Sequence, residues 1–154
     1  MYNSIANVKF CLVIYYFSIP QQRAVETATI VTGRAPIIDN RIDVFDVGSA
    51  DRLNKLEVEY DGLFPDPKIY SGVENPQNYL KRVFSFLNSI KKDEEMNSKN
   101  ILVCGHKCTA FAFACYFRGM PKDSFLNYYL RNGEVAVYNF ENNLNRELPD
   151  SKTL

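Results

Sequence analysis

Two side chains in this sequence are of types that bind phosphate in proteins. Arg23 carries a planar, permanently charged guanidinium that can hold two phosphate oxygens at once. His106 is the only histidine among the 154 residues, and it stands between an apolar run and the start of an apolar helix. Lys107 and Cys108 open that helix, where free backbone N–H groups and the helix dipole attract anions. The sequence therefore predicts a phosphate site built from Arg23, His106, Lys107 and Cys108.

Both side chains also have ordinary structural interpretations. A lone histidine at the end of a strand is more often a capping or surface residue than a catalytic one, and an arginine in a first helical turn is more often solvated. Cys104, His106 and Cys108 could be interpreted as a metal cluster, but their spacing fits none of the common zinc motifs. We therefore predict no metal and no cofactor.

The segments around these residues predict an α/β fold with a mostly parallel sheet, because strands and helices alternate. Ligands of such sheets bind at the carboxyl ends of the strands, which Arg23 and His106 both follow. Residues 39–71 lack a regular pattern and are predicted to form a lid or insertion rather than core. The predicted elements are strands over 8–17, 36–38, 101–104 and 135–140, and helices from Ser18 to Gly33, from Asn75 to about Ile90 and over 108–118.

The overall composition favours one soluble domain and limits the classes of partner. Hydrophobic residues make up 46% and charged residues 23% of the chain, with a formal net charge of zero and no basic cluster, which argues against nucleic acid. The apolar run over 9–17 is too short to span a membrane and lacks a signal-peptide cleavage site. The four cysteines lie in apolar stretches, which favours free thiols and a cytoplasmic location.

Five segments in order resemble the histidine phosphatase superfamily, which includes the phosphoglycerate mutases. Ser18 to Ala28 is similar to its S-P-L-x-R-A-x-x-T-A segment, and Asp39 to Gly48 resembles its D-x-R-L-x-E-x-D-x-G segment. Residues 72–87 resemble a G-V-E segment followed by an R-V-x-x-F-L helix. Residues 100–121 resemble the H-G-G strand and its helix, and 132–134 the start of the last strand.

The resemblance implies a three-layer phosphoglycerate mutase-like fold and roles for particular residues. Arg23 would hold the phosphate of a small phosphate monoester, and His106 would be the second active-site histidine beside the transferring phosphoryl group. The family's nucleophilic histidine lies in an R-H-G motif that this sequence does not contain. Val44 stands where the family has a proton-donating glutamate, and the flanking Asp43 and Asp46 are expected to point elsewhere.

These departures lead to the predicted domain organisation and to alternative functions. We predict a histidine phosphatase domain over 1–140 that lacks the N-terminal strand and helix, with a polar tail over 141–154. Lys107 and Cys108 replace two glycines, so they either crowd the pocket or supply a charge through the Lys107 ammonium. The chain is then a catalytically impaired phosphatase, or a pseudo-phosphatase that binds phosphorylated ligands or a protein partner; an unrelated α/β binding domain is the third alternative. A homo-oligomer through the exposed sheet edge is also expected.

Overall fold

The computed structural model describes residues 3–4, 13–61, 64–121 and 128–142 of the chain. Its helices are α1 Gln22–Thr32, α2 Pro76–Lys92, α3 Glu94–Asn97 and α4 Lys107–Arg118. Its strands are β1 Asn3–Ser4, β2 Val13–Ser18, β3 Ile37–Ile38, β4 Tyr60–Asp61, β5 Phe64–Pro65, β6 Asn100–Cys104 and β7 Glu134–Val135.

The central sheet has three parallel strands in the order β3–β2–β6. Because β2 and β6 run side by side, Ser18 lies opposite Cys104 where both strands end. Two further pairs, β1 with β7 and β4 with β5, are short and antiparallel. The predicted α/β class with a mostly parallel sheet is confirmed.

Helix α2 supplies much of the core, because its apolar residues recur at helical spacing. Asn75 caps it by accepting hydrogen bonds from the N–H groups of Gln77 and Asn78, as the sequence predicts. Its inner face packs against α4 and the sheet, with edge-to-face ring pairs such as Phe17–Phe86 at 5.2 Å. Its buried residues are Tyr79, Leu80, Val83, Phe84, Phe86, Leu87 and Ile90.

Several predicted boundaries are wrong in detail. Ser18 is the last residue of β2 rather than a helix cap, and α1 begins four residues later at Gln22. The predicted last strand is reduced to Glu134–Val135, while Phe140 begins a 3₁₀ turn instead. The part of the first predicted strand that precedes Val13 lies outside the described residues.

Residues 39–71 are not simply a lid over the core. Ile42, Phe45 and Ala50 are buried in the main hydrophobic cluster or beside it, so the first part of this segment is core. Gly48 adopts a left-handed conformation, and a side chain there would collide with the backbone of Ser71. Two distant parts of the segment therefore lie against each other at this point.

The lengths of the helices and the C-terminal residues bear on two of the sequence predictions. No described helix is long and apolar enough to cross a membrane. The predicted boundary at residue 140 stays a prediction, because residues 143–154 lie outside the described residues.

Candidate active site

The carboxyl ends of three adjacent strands line one edge of the sheet. The N–H of Ile19 donates to the carbonyl of Cys104 at 3.2 Å, and the N–H of Asp39 donates to the carbonyl of Ser18 at 3.2 Å. These bonds continue the pairing one residue beyond each strand. The segments that follow the strands therefore begin side by side, and the predicted site residues lie on two of them.

Arg23 and His106 are in direct contact. The Nε atom of Arg23 donates a hydrogen bond of 2.6 Å to the Nε2 atom of His106, although the two residues are 83 positions apart in sequence. An Nε2 atom that accepts a hydrogen bond carries no proton, so the imidazole is neutral. Burial and the nearby charge of Arg23 both lower the pKa of His106 below its usual value of 6.5. The structure thus joins the two residues that the sequence singled out.

The start of α4 fixes the position of His106. Its backbone N–H donates to the Oγ1 atom of Thr109 at 3.3 Å, and this hydroxyl in turn donates to the carbonyl of Ile42 at 3.2 Å. Thr109 is only 3% exposed. A side chain on Gly105 would come within 2.9 Å of Thr109, so glycine is required before the histidine. His106 therefore stands at the N-terminus of a twelve-residue helix, where an anion is favoured.

The two remaining predicted residues differ in what they offer the site. Lys107 is exposed on the first turn of α4, where its ammonium is free to approach an anion. The thiol of Cys108 is turned toward the core: its Sγ accepts a hydrogen bond from the N–H of Phe45 at 3.4 Å and lies beside buried Tyr79. Cys108 can therefore serve the site through its backbone N–H, not through its sulfur.

Asp43 lies near enough to this site for its charge to act on His106, which the sequence does not predict. Its Oδ1 atom lies 3.5 Å from the Nε2 of Gln21, and its charge acts on His106, raising the pKa of the imidazole against the two lowering effects. The expectation that Asp43 points away from the reacting group stays a prediction, since its carboxylate is hydrogen-bonded to the N–H of Val44. It holds for Asp46, whose Oδ1 accepts a hydrogen bond from the N–H of Gly48.

Val44 stands where the resemblance implies a proton donor, and it is hydrogen-bonded to its neighbour Asp43. The Val44 side chain packs against the core. Its N–H donates to Oδ1 of Asp43 at 2.7 Å, so the carboxylate is hydrogen-bonded within its own loop. A 3₁₀ turn over Asn40–Ile42 directly precedes this pair of residues.

Arg82 of α2 holds this segment from behind. Its guanidinium donates to the carbonyls of Arg41 at 3.0 Å, Asp43 at 3.0 Å and Val44 at 2.8 Å. The same group forms an ion pair of 2.7 Å with Glu74 and is largely sheltered from solvent. One guanidinium thereby positions the strand-following loop that carries Asp43.

The described residues offer no metal centre. Within the described ranges, no group of three His, Cys, Asp or Glu side chains could hold a metal ion. The site as described consists of a cation, a neutral imidazole, a helix N-terminus and one carboxylate. This set can bind an anion and can exchange a proton with it.

Comparison with known proteins identifies the family of this arrangement. The family model of the histidine phosphatase superfamily (branch 1) matches residues 2–148. A 2,3-bisphosphoglycerate-dependent phosphoglycerate mutase of Lactobacillus acidophilus is 28% identical over 79 residues, which cover 51% of this chain and 34% of that protein. A second such mutase, from Lactiplantibacillus plantarum, aligns with the same identity and coverage.

A solved structure shares the fold. The native mycobacterial glucosyl-3-phosphoglycerate phosphatase superposes with a TM-score of 0.51 at 15% identity, covering 80% of this chain and 63% of that chain. The alignments thus span about a third of the two mutases and less than two thirds of the phosphatase. The likeness confirms the predicted fold class. Because the family model matches most of this chain, the chain belongs to the histidine phosphatase superfamily, branch 1.

Proposed function

We propose that the Arg23–His106 site binds the phosphoryl group of a small phosphate monoester. The observation that carries this proposal is the 2.6 Å contact between the Arg23 guanidinium and the His106 imidazole at the start of α4. A guanidinium, an imidazole and a helix N-terminus each bind phosphate oxygens, and here all three lie at the same strand ends. The names of the relatives, mutases and a phosphatase of phosphoglycerate compounds, support the same ligand class.

Binding would replace the contact between the two side chains. A phosphate oxygen that enters between Arg23 and His106 accepts a hydrogen bond from the guanidinium. It also needs a donor at Nε2 of His106, so the neutral imidazole gains a proton or changes tautomer. Lys107 directly follows His106 and is exposed, so its ammonium would add a second cation at the first turn of α4.

We further propose that this 154-residue chain by itself turns over phosphate monoesters no faster than background. The family mechanism forms a phosphohistidine on a first histidine while a second one assists, and this sequence supplies a single histidine, His106. Removing the nucleophile from a site that acts as a unit removes nearly all of the chemical acceleration. The second candidate function is therefore that of a pseudo-phosphatase, which binds phosphorylated ligands without chemistry.

The decisive test measures binding and turnover on the same preparations. Calorimetric titration with phenyl phosphate should show binding that weakens about tenfold or more in Arg23→Ala and His106→Ala, since a charge-assisted hydrogen bond is lost in each. Arg34→Ala, which removes an exposed arginine just after α1, is the matched control and should leave affinity unchanged.

Turnover of para-nitrophenyl phosphate should stay at background for all four proteins. A substantial rate that disappears in His106→Ala would show that another group serves as nucleophile and would contradict the impaired-catalysis proposal. Binding that is equal in the wild-type chain and Arg23→Ala would contradict the phosphate-site proposal itself.

A homo-oligomer is also proposed, because β6 pairs within the described residues on one side alone, with β2. The backbone groups along the other side of β6 can pair with another chain.

A further inference from the structure

One buried hydroxyl beneath the candidate active site has no hydrogen bond. Tyr79 of α2 is 0% exposed, and its hydroxyl has no hydrogen-bond partner among the described residues. Its ring is held in place, because it meets the Phe45 ring edge to face at 5.4 Å and the Arg82 guanidinium lies over it at 4.7 Å. A buried hydroxyl without a partner destabilises the folded chain, so a tyrosine at this place indicates a function for the hydroxyl.

The hydroxyl of Tyr79 lies beside the sulfur of Cys108, the second residue of α4. Burial and the neighbouring Cys108 sulfur raise the pKa of Tyr79 well above its usual value of 10.0, so the hydroxyl keeps its proton and can serve as a donor. The Thr109 hydroxyl is also adjacent, but it already accepts from the N–H of His106 and donates to the carbonyl of Ile42. The acceptor that Tyr79 lacks is therefore expected at the sulfur of Cys108.

Cys108 differs from the other described cysteines in its surroundings. Its Sγ accepts a hydrogen bond from the N–H of Phe45 at 3.4 Å, and it lies in the first turn of α4, where backbone N–H groups favour negative charge. The residue is partly exposed to solvent. Burial raises the pKa of Cys104 and raises that of Cys115 to about 12, which makes both thiols poor nucleophiles.

We propose that Cys108 is an oxidation site at which hydrogen peroxide converts the thiol to a sulfenic acid. The sulfur attacks one peroxide oxygen, so that an S–O bond forms and the O–O bond breaks. The hydroxide that leaves takes up the proton that the thiol gives up, and the products are the sulfenic acid and one water molecule. The sulfur loses two electrons, and the peroxide gains them.

The new oxygen atom supplies the acceptor that Tyr79 lacks. It lies one bond beyond Sγ of Cys108, and the Tyr79 hydroxyl donates to it. This hydrogen bond stabilises the sulfenic acid and slows its further oxidation to sulfinic acid. The inference goes beyond the proposed function, since it concerns the sulfur of Cys108 and does not require that phosphate bind.

The first experiment locates the oxidised residue in the wild-type chain. The folded chain is treated with hydrogen peroxide in the presence of dimedone, which traps sulfenic acids, and mass mapping of its peptides finds the adduct. We expect at least about tenfold more adduct on Cys108 than on Cys104 or Cys115, because the latter thiols are buried in apolar surroundings. In concentrated urea this preference should disappear. An adduct absent from Cys108, or spread evenly over the four cysteines of the folded chain, would overturn the proposal.

The second experiment tests the hydroxyl with Tyr79→Phe. This variant should fold at least as stably as the wild-type chain, because the group that it removes has no hydrogen bond. When dimedone is added at intervals after the peroxide, the sulfenic acid on Cys108 should disappear about fivefold faster in Tyr79→Phe, the factor that one ordinary hydrogen bond provides. Tyr116→Phe removes a hydroxyl that donates to Asn88 and should leave the lifetime unchanged. Equal lifetimes in the wild-type chain and Tyr79→Phe would overturn the proposed role of the hydroxyl.

Discussion

The contact between Arg23 and His106 gives the site a defined protonation state. A permanently charged guanidinium that donates to Nε2 stabilises the neutral imidazole and opposes its protonated form. Burial acts in the same direction and is the larger cause of the lowered pKa, while Asp43 acts against it. The site without ligand is therefore held ready to gain a proton when an anion arrives.

The stability of the ligand-free chain should consequently depend on His106 in mildly acidic solution. Because the folded-state pKa of His106 lies below 6.5, the unfolded chain takes up this proton first as the pH falls. The contribution to folding is present above pH 6.5 and is lost between pH 6.5 and the lower folded-state value. Urea unfolding at pH 7.5 and pH 5.5 should show a smaller loss of stability on acidification in His106→Asn than in the wild-type chain.

Asp39 provides an internal contrast to this behaviour. The hydrogen bonds and charge of Arg41 outweigh burial and hold the pKa of the Asp39 carboxyl below 3.8, so its contribution is lost only in more acidic solution. An Asp39→Asn variant should therefore keep the wild-type difference between pH 7.5 and pH 5.5. If His106→Asn keeps it too, the imidazole is not the group that titrates, and the contact with Arg23 has been misread.

At the scale of elements, the loop between β3 and the Gly48 turn decides what the site contains. The loop is tied to α4 through Thr109 and Cys108, and to α2 through Arg82. The Arg82 side chain donates to three backbone carbonyls of this loop. It is therefore the main support of a segment that has no regular secondary structure beyond one 3₁₀ turn.

Arg82→Lys should therefore loosen the loop without removing the positive charge. A lysine ammonium cannot reach Glu74 and several carbonyls at once, because it lacks the planar fork of the guanidinium. We expect a loss of about 2 kcal/mol in the free energy of unfolding and weaker binding of phenyl phosphate. Thermal or urea unfolding with a parallel calorimetric titration measures both, and Lys81→Arg, on the exposed side of the same helix, is the control.

A loss of stability without any change in affinity would separate Arg82 from the site and would limit its role to packing. An unchanged stability would contradict the support role altogether. Either result would also weaken the argument that the Asp43 carboxylate is held in a fixed position.

The sequence predicts some of these elements well and others poorly, for physical reasons. Asn75 and Pro76 mark the start of α2, and Gly33 ends α1 in a left-handed conformation, because caps act locally and leave a sequence signal. Arg23 and His106 were found because each follows a strand, and a parallel sheet brings strand ends together. The position of Asp43 is not predictable from the sequence, because the conformation of its loop depends on tertiary contacts with Arg82 and Thr109.

At the scale of the whole molecule, the central sheet has three strands among the described residues. Strand β6 is flanked by β2 on one side, and no other described strand pairs with it. Its residues from Ile101 to Cys104 are only half-buried, unlike a strand enclosed on both sides. Half-exposed apolar side chains on a strand that pairs on one side among the described residues promote pairing between chains.

We therefore expect the purified chain to associate, with a mass by light scattering that rises with protein concentration. Leu102→Lys should reduce the association, because a charge on an edge strand opposes pairing and Leu102 is not packed against the main buried cluster. Leu56→Lys is the matched control, since Leu56 is 93% exposed and lies far along the chain from the sheet. A sharp wild-type monomer at every concentration would contradict the proposal. Equal dissociation by both lysine variants would show that an added charge anywhere on the surface disperses the chain, and it would contradict a contact specific to the sheet edge.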